Sequence, residues 1–200
     1  MMVIRCTQLM GIFLAAICVL GFFCEAAEAT VLRDLSLEDL TAQADVVLIG
    51  DIGKVRSLRD TKGQIWTETA VEVEKTVKGR TKGDKILIRQ QGGTIGDVVS
   101  RVDGNARLLT GETALLFLKR SGGFYYTVGM ELGKFDVYED ATRERRVRRS
   151  STVPVAKTAR DSHGEMSLGH ASVRHNGVTL LEILADIRRA MNRRSGGGER

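Results

Sequence analysis

Three histidines are the residues of this chain best suited to metal chemistry. His163, His170 and His175 lie near Asp161 and Glu165, and imidazole with carboxylate is a donor set that suits zinc or copper. Their spacings of seven and five residues fall in a predicted loop, where no helix holds two of them on one face, so they prescribe no coordination geometry. We interpret them as solvated loop histidines, with a weak metal site as the alternative, and we predict no cofactor.

Ser167 is the candidate nucleophile. It lies between Gly164 and Gly169, one residue off the Gly-x-Ser-x-Gly spacing that exposes a serine at a tight elbow. The elbow also requires a strand that leads into the serine, and the sequence predicts none there. A hydrolase or a metal-dependent enzyme that uses Ser167 or the three histidines is therefore kept as an alternative function, and no catalytic residue is assigned.

Two further patterns resemble chemical sites but have simpler structural interpretations. The run from Gly92 to Gly96 resembles a phosphate-binding loop, yet neither a Lys-Ser/Thr pair nor a clear helix follows it. We predict a barrel corner there. Glu68, Glu72 and Glu74 share one side of an alternating run, which is typical of the water-facing side of a strand. We therefore interpret them as a solvated row and not as an acid–base pair.

Positive charge is concentrated in two clusters of a chain whose formal net charge is +5. The clusters are Arg143, Arg145, Arg146, Arg148 and Arg149, followed by Arg188, Arg189, Arg193 and Arg194. Such clusters attract phosphate, lipid headgroups or acidic polymers, but they are also common on solvated surfaces. The first cluster is a candidate anion contact. We expect no nucleic acid partner, because no base-stacking aromatic residues accompany the arginines.

The N-terminus has the order of features that marks a secretory signal peptide. Arg5 supplies the charged start, residues 10–23 form an uncharged apolar core, and Ala27-Glu28-Ala29 matches the small-residue cleavage site. We therefore predict that residues 1–29 are removed by cleavage between Ala29 and Thr30, and that the chain contacts a membrane only before that step. The predicted location is periplasmic or secreted.

All three cysteines lie inside this predicted signal peptide, at Cys6, Cys18 and Cys24. The mature chain would then have no disulfide and no cysteine-bound metal. It is long enough to be stabilised by its core alone, as one domain. A disulfide-free exported protein is more typical of a bacterial envelope than of an animal extracellular space.

The predicted fold class of residues 30–138 is mostly β. Ser36 and Asp39 have the spacing of a capping box that begins a short helix ending near Asp45. Apolar or alternating runs predict the strands. Those runs are residues 46–52, 66–77, 86–88, 113–118, 124–128 and 135–138. The stretch from Gly92 to Leu109 is predicted to be irregular.

Two different segments follow this β domain. Residues 139–176 have dense charge and few large apolar side chains, which predicts a basic mobile segment. Residues 177–194 are predicted to form a helix with a capping box from Thr179 to Glu182. Its apolar stripe is Val178, Leu181, Leu184, Ile187 and Met191. We predict that this helix packs on the barrel, with a membrane-surface helix as the alternative, and that residues 195–200 are disordered.

The strand pattern resembles that of netrin-like domains, which include the tissue inhibitors of metalloproteinases. The matching runs are Ala44–Gly50, the segment ending Val77-Lys78-Gly79, Lys85–Ile88 and Gly111–Leu118. The chain is also similar to a family of uncharacterised exported bacterial proteins that carry comparable Gly92-Gly93 and Gly133-Lys134-Phe135 patterns. The resemblance implies a small OB-like barrel, in which five strands are flanked by N-terminal and C-terminal helices.

The resemblance also bears on function. It implies a barrel that binds a protein or envelope partner. It does not imply metalloproteinase inhibition, because those inhibitors place an N-terminal cysteine on the catalytic metal, whereas this mature chain would begin at Thr30. The sequence therefore predicts an exported non-enzymatic binding module that makes contact through residues 92–109 and the exposed strand ends. A structural envelope protein is a further alternative, and the oligomeric state stays open.

Overall fold

The computed structural model describes residues 32–33, 35–149, 155–160, 166–169 and 177–195, with side chains for 35–149 and 177–193. Its helices are α1 (Leu37–Gln43) and α2 (Leu180–Ser195), and a 3₁₀ turn spans Met130–Gly133. The strands are β1 (Leu32–Arg33), β2 (Val46–Arg59), β3 (Ile65–Lys78), β4 (Lys85–Gln91), β5 (Gly93–Ile95), β6 (Val98–Ser100), β7 (Thr113–Ser121), β8 (Phe124–Thr127), β9 (Lys134–Glu139), β10 (Arg145–Arg148), β11 (Val155–Arg160) and β12 (Met166–Gly169). The predicted class, mostly β with flanking helices, is confirmed. Within these ranges, no helix has the length and apolar character needed to cross a membrane.

Five strands close into a ring. The neighbours around it are β7, β2, β3, β4 and β8, and β8 pairs again with β7. The β4–β8 contact is parallel, and the other four contacts are antiparallel. This connection agrees with the five-stranded Greek-key barrel of the OB type, so the predicted OB-like barrel is confirmed. Because β7 also pairs with β9, and β9 with β10, the sheet continues outside the ring.

Alternation along the strands gives the sheet two apolar faces. Inside the ring, Leu48 and Leu116 belong to one buried cluster. Their chain neighbours Val47, Ile49 and Phe117 point the other way, into a second cluster that the two helices cover. The first barrel strand is therefore buried on both sides along its first half, as its unbroken apolar run predicts.

Both helices begin with the predicted capping boxes. At α1, Ser36 Oγ accepts a hydrogen bond from the Asp39 N–H at 3.0 Å, and Asp39 Oδ2 accepts one from the Ser36 N–H at 3.2 Å. At α2, Thr179 Oγ1 accepts from the Glu182 N–H at 3.2 Å, and Glu182 Oε2 accepts from the Thr179 N–H at 2.8 Å. These bonds satisfy amide groups that a helix start leaves without partners.

One residue of the predicted stripe of α2 is not on its buried face. Leu181 is 77% exposed, not buried. The residues that pack inward are Leu180, Ile183, Leu184, Ile187 and Ala190. They keep the three- and four-residue spacing of a helix face, but the face is rotated away from Leu181. It packs against α1 and β10, and it shares the second cluster with Leu115 and Phe117 of β7.

The segment expected to be a mobile excursion contains strands. A turn from Asp140 to Glu144, in which Asp140 Oδ1 accepts from the Thr142 and Glu144 N–H groups at 2.8 and 3.1 Å, folds the chain back so that β10 pairs with β9. This strand packs on the sheet because its apolar residue Val147, which stands between arginines in the sequence, is fully buried. On its other side β10 is covered, because Val147 N donates to Val178 O at 3.0 Å and Gly177 N donates to Val147 O at 2.9 Å.

Candidate ligand-binding site

Three charged side chains form a row across the outer face of the barrel. Arg56 on β2 lies opposite Glu68 on β3, and Glu68 lies opposite Arg89 on β4. Glu68 Oε2 accepts from Arg56 Nη2 at 2.7 Å and from Nε at 3.2 Å, and Arg89 Nη2 lies 3.5 Å from Oε1. The Glu68 side chain is 4% exposed and that of Arg56 is 63% exposed. A buried carboxylate thus holds two guanidinium groups, one of them open to solvent.

Two aromatic rings enclose the Arg89 guanidinium. Its Cζ lies 5.0 Å from the ring centroid of Trp66 and 4.3 Å from that of Phe124. Each such cation–π contact contributes about 0.5–1 kcal/mol when exposed and more when desolvated. We call these residues the arginine–aromatic site: Arg56, Trp66, Glu68, Arg89 and Phe124. Because rings and carboxylate both hold Arg89, its position is fixed before any ligand arrives.

The turn between β2 and β3 fixes Trp66. Asp60 Oδ1 accepts from the N–H groups of Lys62 and Gln64, at 2.9 Å each, and Asp60 Oδ2 accepts from Trp66 Nε1 at 3.0 Å. The hydrogen bond from the indole is the largest cause that lowers the pKa of Asp60. One carboxylate therefore holds both the turn and the tryptophan ring.

Loss of the Asp60 charge is expected to release Trp66. The pKa of Asp60 is lowered in the fold, so the anchor is complete above the ordinary aspartate pKa of about 3.9 and is lost as the pH falls through the lowered folded value. Trp66 is the only tryptophan of the chain, so its emission reports on this site. We expect Asp60→Ala to shift that emission to the red at pH 7, with the circular dichroism of the sheet unchanged. The same emission from both proteins at pH 7 would contradict the anchor.

A glycine pair brings the β5–β6 hairpin against this end of the barrel. A Cβ on Gly93 would lie 2.4 Å from both Ser57 Oγ and Thr67 Oγ1, so a larger residue does not fit there. Thr67 Oγ1 donates to the Gly92 carbonyl at 2.8 Å, and Ser57 Oγ accepts from the Thr94 N–H at 3.2 Å. The pair forms a corner at the end of β4, where the sequence predicted one. The chain then continues as the β5–β6 hairpin, within the stretch that the sequence predicted to be irregular.

An apolar strip lies beside the charged row. Ala70 on β3 and Leu87 on β4 are in register, two residues along each strand from Glu68 and Arg89. Leu87 is 37% exposed. One row further, Lys85 Nζ lies 2.8 Å from Glu72 Oε1, and this hydrogen bond lowers the pKa of Glu72. The outer face of β3 and β4 therefore presents, in order, an aromatic, a charged, an apolar and a second charged row.

The prediction that Glu68 faces water is wrong. Glu68 is on the predicted side of the strand, together with Glu72, which is exposed as expected. It is buried because Arg56 and Arg89 lie over it from the strands on either side. Alternation within one strand indicates the side of a residue but not what the neighbouring strands place on it. One signal in the sequence pointed to this site: Trp66 and Glu68 are two residues apart, so they lie on the same face of the strand.

Four arginines of the predicted anion contact already contact other side chains of the domain. Arg145 makes a two-pronged ion pair with Glu74, at 2.6 and 2.7 Å, which lowers the pKa of Glu74 and raises that of Arg145. Arg146 Nε lies 2.5 Å from Asp140 Oδ2. The other two lie over aromatic rings, Arg148 over Tyr138 and Arg149 over Phe135. Arg143 is exposed in the turn. These contacts attach β10 to the sheet.

Several predicted site residues lie outside the described residues. These are His163, His170 and His175, the Ala29–Thr30 cleavage site with the signal peptide, the tail after Ser195, and the side chain of Ser167, whose backbone lies in β12. Among the side chains that the structure does describe, no three His, Cys, Asp or Glu residues converge in a way that could hold a metal ion.

A cleft of about 300 Å³ lies beside the start of α2. Its lining residues are Ile49, Glu74, Lys75, Glu144, Arg145, Thr179, Leu180, Leu181 and Leu184. Two of its charged lining residues, Arg145 and Glu74, form an ion pair with each other. The arginine–aromatic site is the stronger candidate, because there two guanidinium groups share a single carboxylate next to two rings.

Comparison with known proteins adds no family to this description. No family model and no curated protein matches the chain.

Proposed function

We propose that this chain is an exported, non-enzymatic binding module whose ligand, a protein or a cell-envelope component, contacts the arginine–aromatic site. The observation that carries the proposal is the enclosure of Arg89 between Trp66 and Phe124 over a buried Glu68. It lies on the outer face of β3 and β4, the second and third strands of the ring in chain order. OB-type barrels bind their ligands on this face.

The residue types and their rigidity support a binding role. Tryptophan and arginine are enriched among the residues that dominate binding energy. Side chains that are already held in place lose little conformational entropy when a ligand binds. Arg89 is held by two rings and a carboxylate, and Trp66 by Asp60. The site therefore combines suitable groups with a low cost of ordering them.

The same geometry supports a non-enzymatic role for this site. Both carboxylate oxygens of Glu68 face guanidinium groups, so the carboxylate serves as a counter-ion and leaves no basic oxygen aimed at a substrate. We keep export, the periplasmic or secreted location and the likeness to netrin-like domains as parts of the proposal. They rest on the N-terminal pattern and on the strand order. A nucleic acid partner is still not expected.

Binding should depend on the planar guanidinium of Arg89. We would express the whole chain and purify it from the envelope fraction, where recovery of a protein beginning at Thr30 tests export. We would then present neutral and acidic oligosaccharides, phosphatidylglycerol vesicles and acidic peptides. At least one class should bind, and Arg89→Lys, which keeps the charge but loses the fork that stacks between rings, should bind about tenfold more weakly. Lys82→Ala, on an exposed turn, is the control. Binding of none of the four classes, or equal binding by Arg89→Lys, would refute the proposal.

A further inference from the structure

The charge balance of the arginine–aromatic site indicates the kind of group that it lacks. Two guanidinium groups, of Arg56 and Arg89, share the single carboxylate of Glu68, which leaves one net positive charge. Arg56 uses its Nε and Nη2 on one oxygen and keeps Nη1 for another partner. The planar fork of a guanidinium matches a carboxylate with two parallel hydrogen bonds. A ligand that brings one carboxylate to this row would complete it.

The apolar strip indicates what should accompany that carboxylate. Ala70 and Leu87 lie one row away, which corresponds to roughly 6.6 Å along the strands. From the Trp66 row to this strip the face spans about 13 Å. Leu87 offers exposed apolar surface, and the ring of Trp66 borders the opposite side of the charged row. A ring with a C–H face and a carboxylate attached to it fits this order of surfaces.

Two other ligand classes fit less well. An extended peptide that binds by adding a strand needs an unpaired strand, but β3 lies between β2 and β4, and β4 lies between β3 and β8. A single-stranded nucleic acid needs open aromatic faces in a groove of continuous positive charge. Here the Arg89 guanidinium already covers one face of each ring, and the Glu68 carboxylate interrupts the positive charge between Arg56 and Arg89.

We infer that the ligand is an acidic oligosaccharide: a uronic acid unit places its carboxylate on Arg56 and Arg89 and its sugar ring on Ala70 and Leu87. This inference rests on the proposed function, because it names the ligand of the same site. It also uses the known range of OB-type barrels, which bind oligosaccharides as well as oligonucleotides.

The test uses the fluorescence of Trp66 and calorimetry on the whole mature protein. The probes are trigalacturonate, its methyl ester, oligothymidylate and polyglutamate. Trigalacturonate should bind, and the neutral ester should bind about tenfold more weakly, because esterification removes the charge that the arginines recognise. Arg56→Lys, which keeps a cation beside the buried Glu68 carboxylate but loses the planar fork, should weaken trigalacturonate binding by a similar factor while preserving the fold. Lys82→Gln should change nothing.

Three outcomes would overturn the inference: equal binding of acid and ester, binding of oligothymidylate or polyglutamate in place of the sugar, or no binding of trigalacturonate by either method. Its failure is distinguishable from failure of the proposed function. If vesicles or peptides still bind in a manner that Arg89→Lys weakens, the chain is a binding module with another ligand. If no ligand class responds to the site variants, both proposals fail.

Discussion

Replacement of Lys134 by methionine should lower the free energy of unfolding by about 3–5 kcal/mol, the range for removing one partner of a buried ion pair. The Lys134 side chain is 7% exposed, and its Nζ lies 2.7 Å from Asp136 Oδ1 and 2.8 Å from Glu112 Oε2. It also donates to Arg107 O at 2.5 Å. Methionine fills similar space but leaves the 14% exposed Asp136 carboxylate without its nearest cation.

Urea unfolding of the two proteins measures this loss. Lys119→Met is the matched control, since Lys119 is an exposed lysine on the adjacent strand β7 and surface substitutions usually change stability by less than about 0.5 kcal/mol. Equal midpoints for the wild type and Lys134→Met would show that the ion-pair network contributes nothing, contrary to its burial.

Two neighbouring positions on α2 should respond very differently to alanine. Ile183→Ala is expected to cost about 2–5 kcal/mol, because it removes a fully buried side chain from the cluster between the helices and β7. Leu181→Ala should change stability by less than about 0.5 kcal/mol, since Leu181 is 77% exposed. Alanine favours a helix at both positions, so helix propensity does not explain a difference.

Thermal or urea unfolding of both variants decides this prediction. Similar losses at both positions would mean that Leu181 is covered in solution, and they would favour the originally predicted stripe. A small loss at Ile183 would mean that α2 does not pack on the sheet. The two variants therefore test the rotation of α2 about its axis. The spacing of apolar residues predicted Leu181 on the buried face, whereas the structure places it on the exposed one.

Most of the fold of this domain can be predicted from local sequence patterns. Short apolar runs separated by Gly-rich turns predict the barrel strands, and Ser36 and Thr179 begin their helices because a capping box needs only residues within one helical turn. These signals lie within a few positions of one another in the chain. The barrel strands, the hairpin of β7 and β8, and both helix starts were therefore predictable.

The candidate site cannot be predicted from local sequence patterns. Glu68 is buried by Arg56 and Arg89, which come from different strands, and Phe124 reaches Arg89 through the parallel contact of β4 with β8. Pairing register and ring closure create these contacts, and neither is encoded in the spacing within one strand. The same reason applies to Arg145, whose partner Glu74 lies 71 residues earlier. Such pairs become visible only once the strand order is known.

The way in which Gly177–Thr179 covers β10 has a consequence for self-association. An uncovered terminal strand offers a row of free N–H and C=O groups that can pair with another copy and start aggregation. In the described part of the seven-stranded sheet, β10 is the terminal strand, because closure of the ring leaves no other. Its backbone is partly occupied by Gly177 and Val178, and its side chains are mostly arginines. β10 therefore combines two features by which natural sheets avoid polymerisation, a backbone covered by another segment and charged side chains.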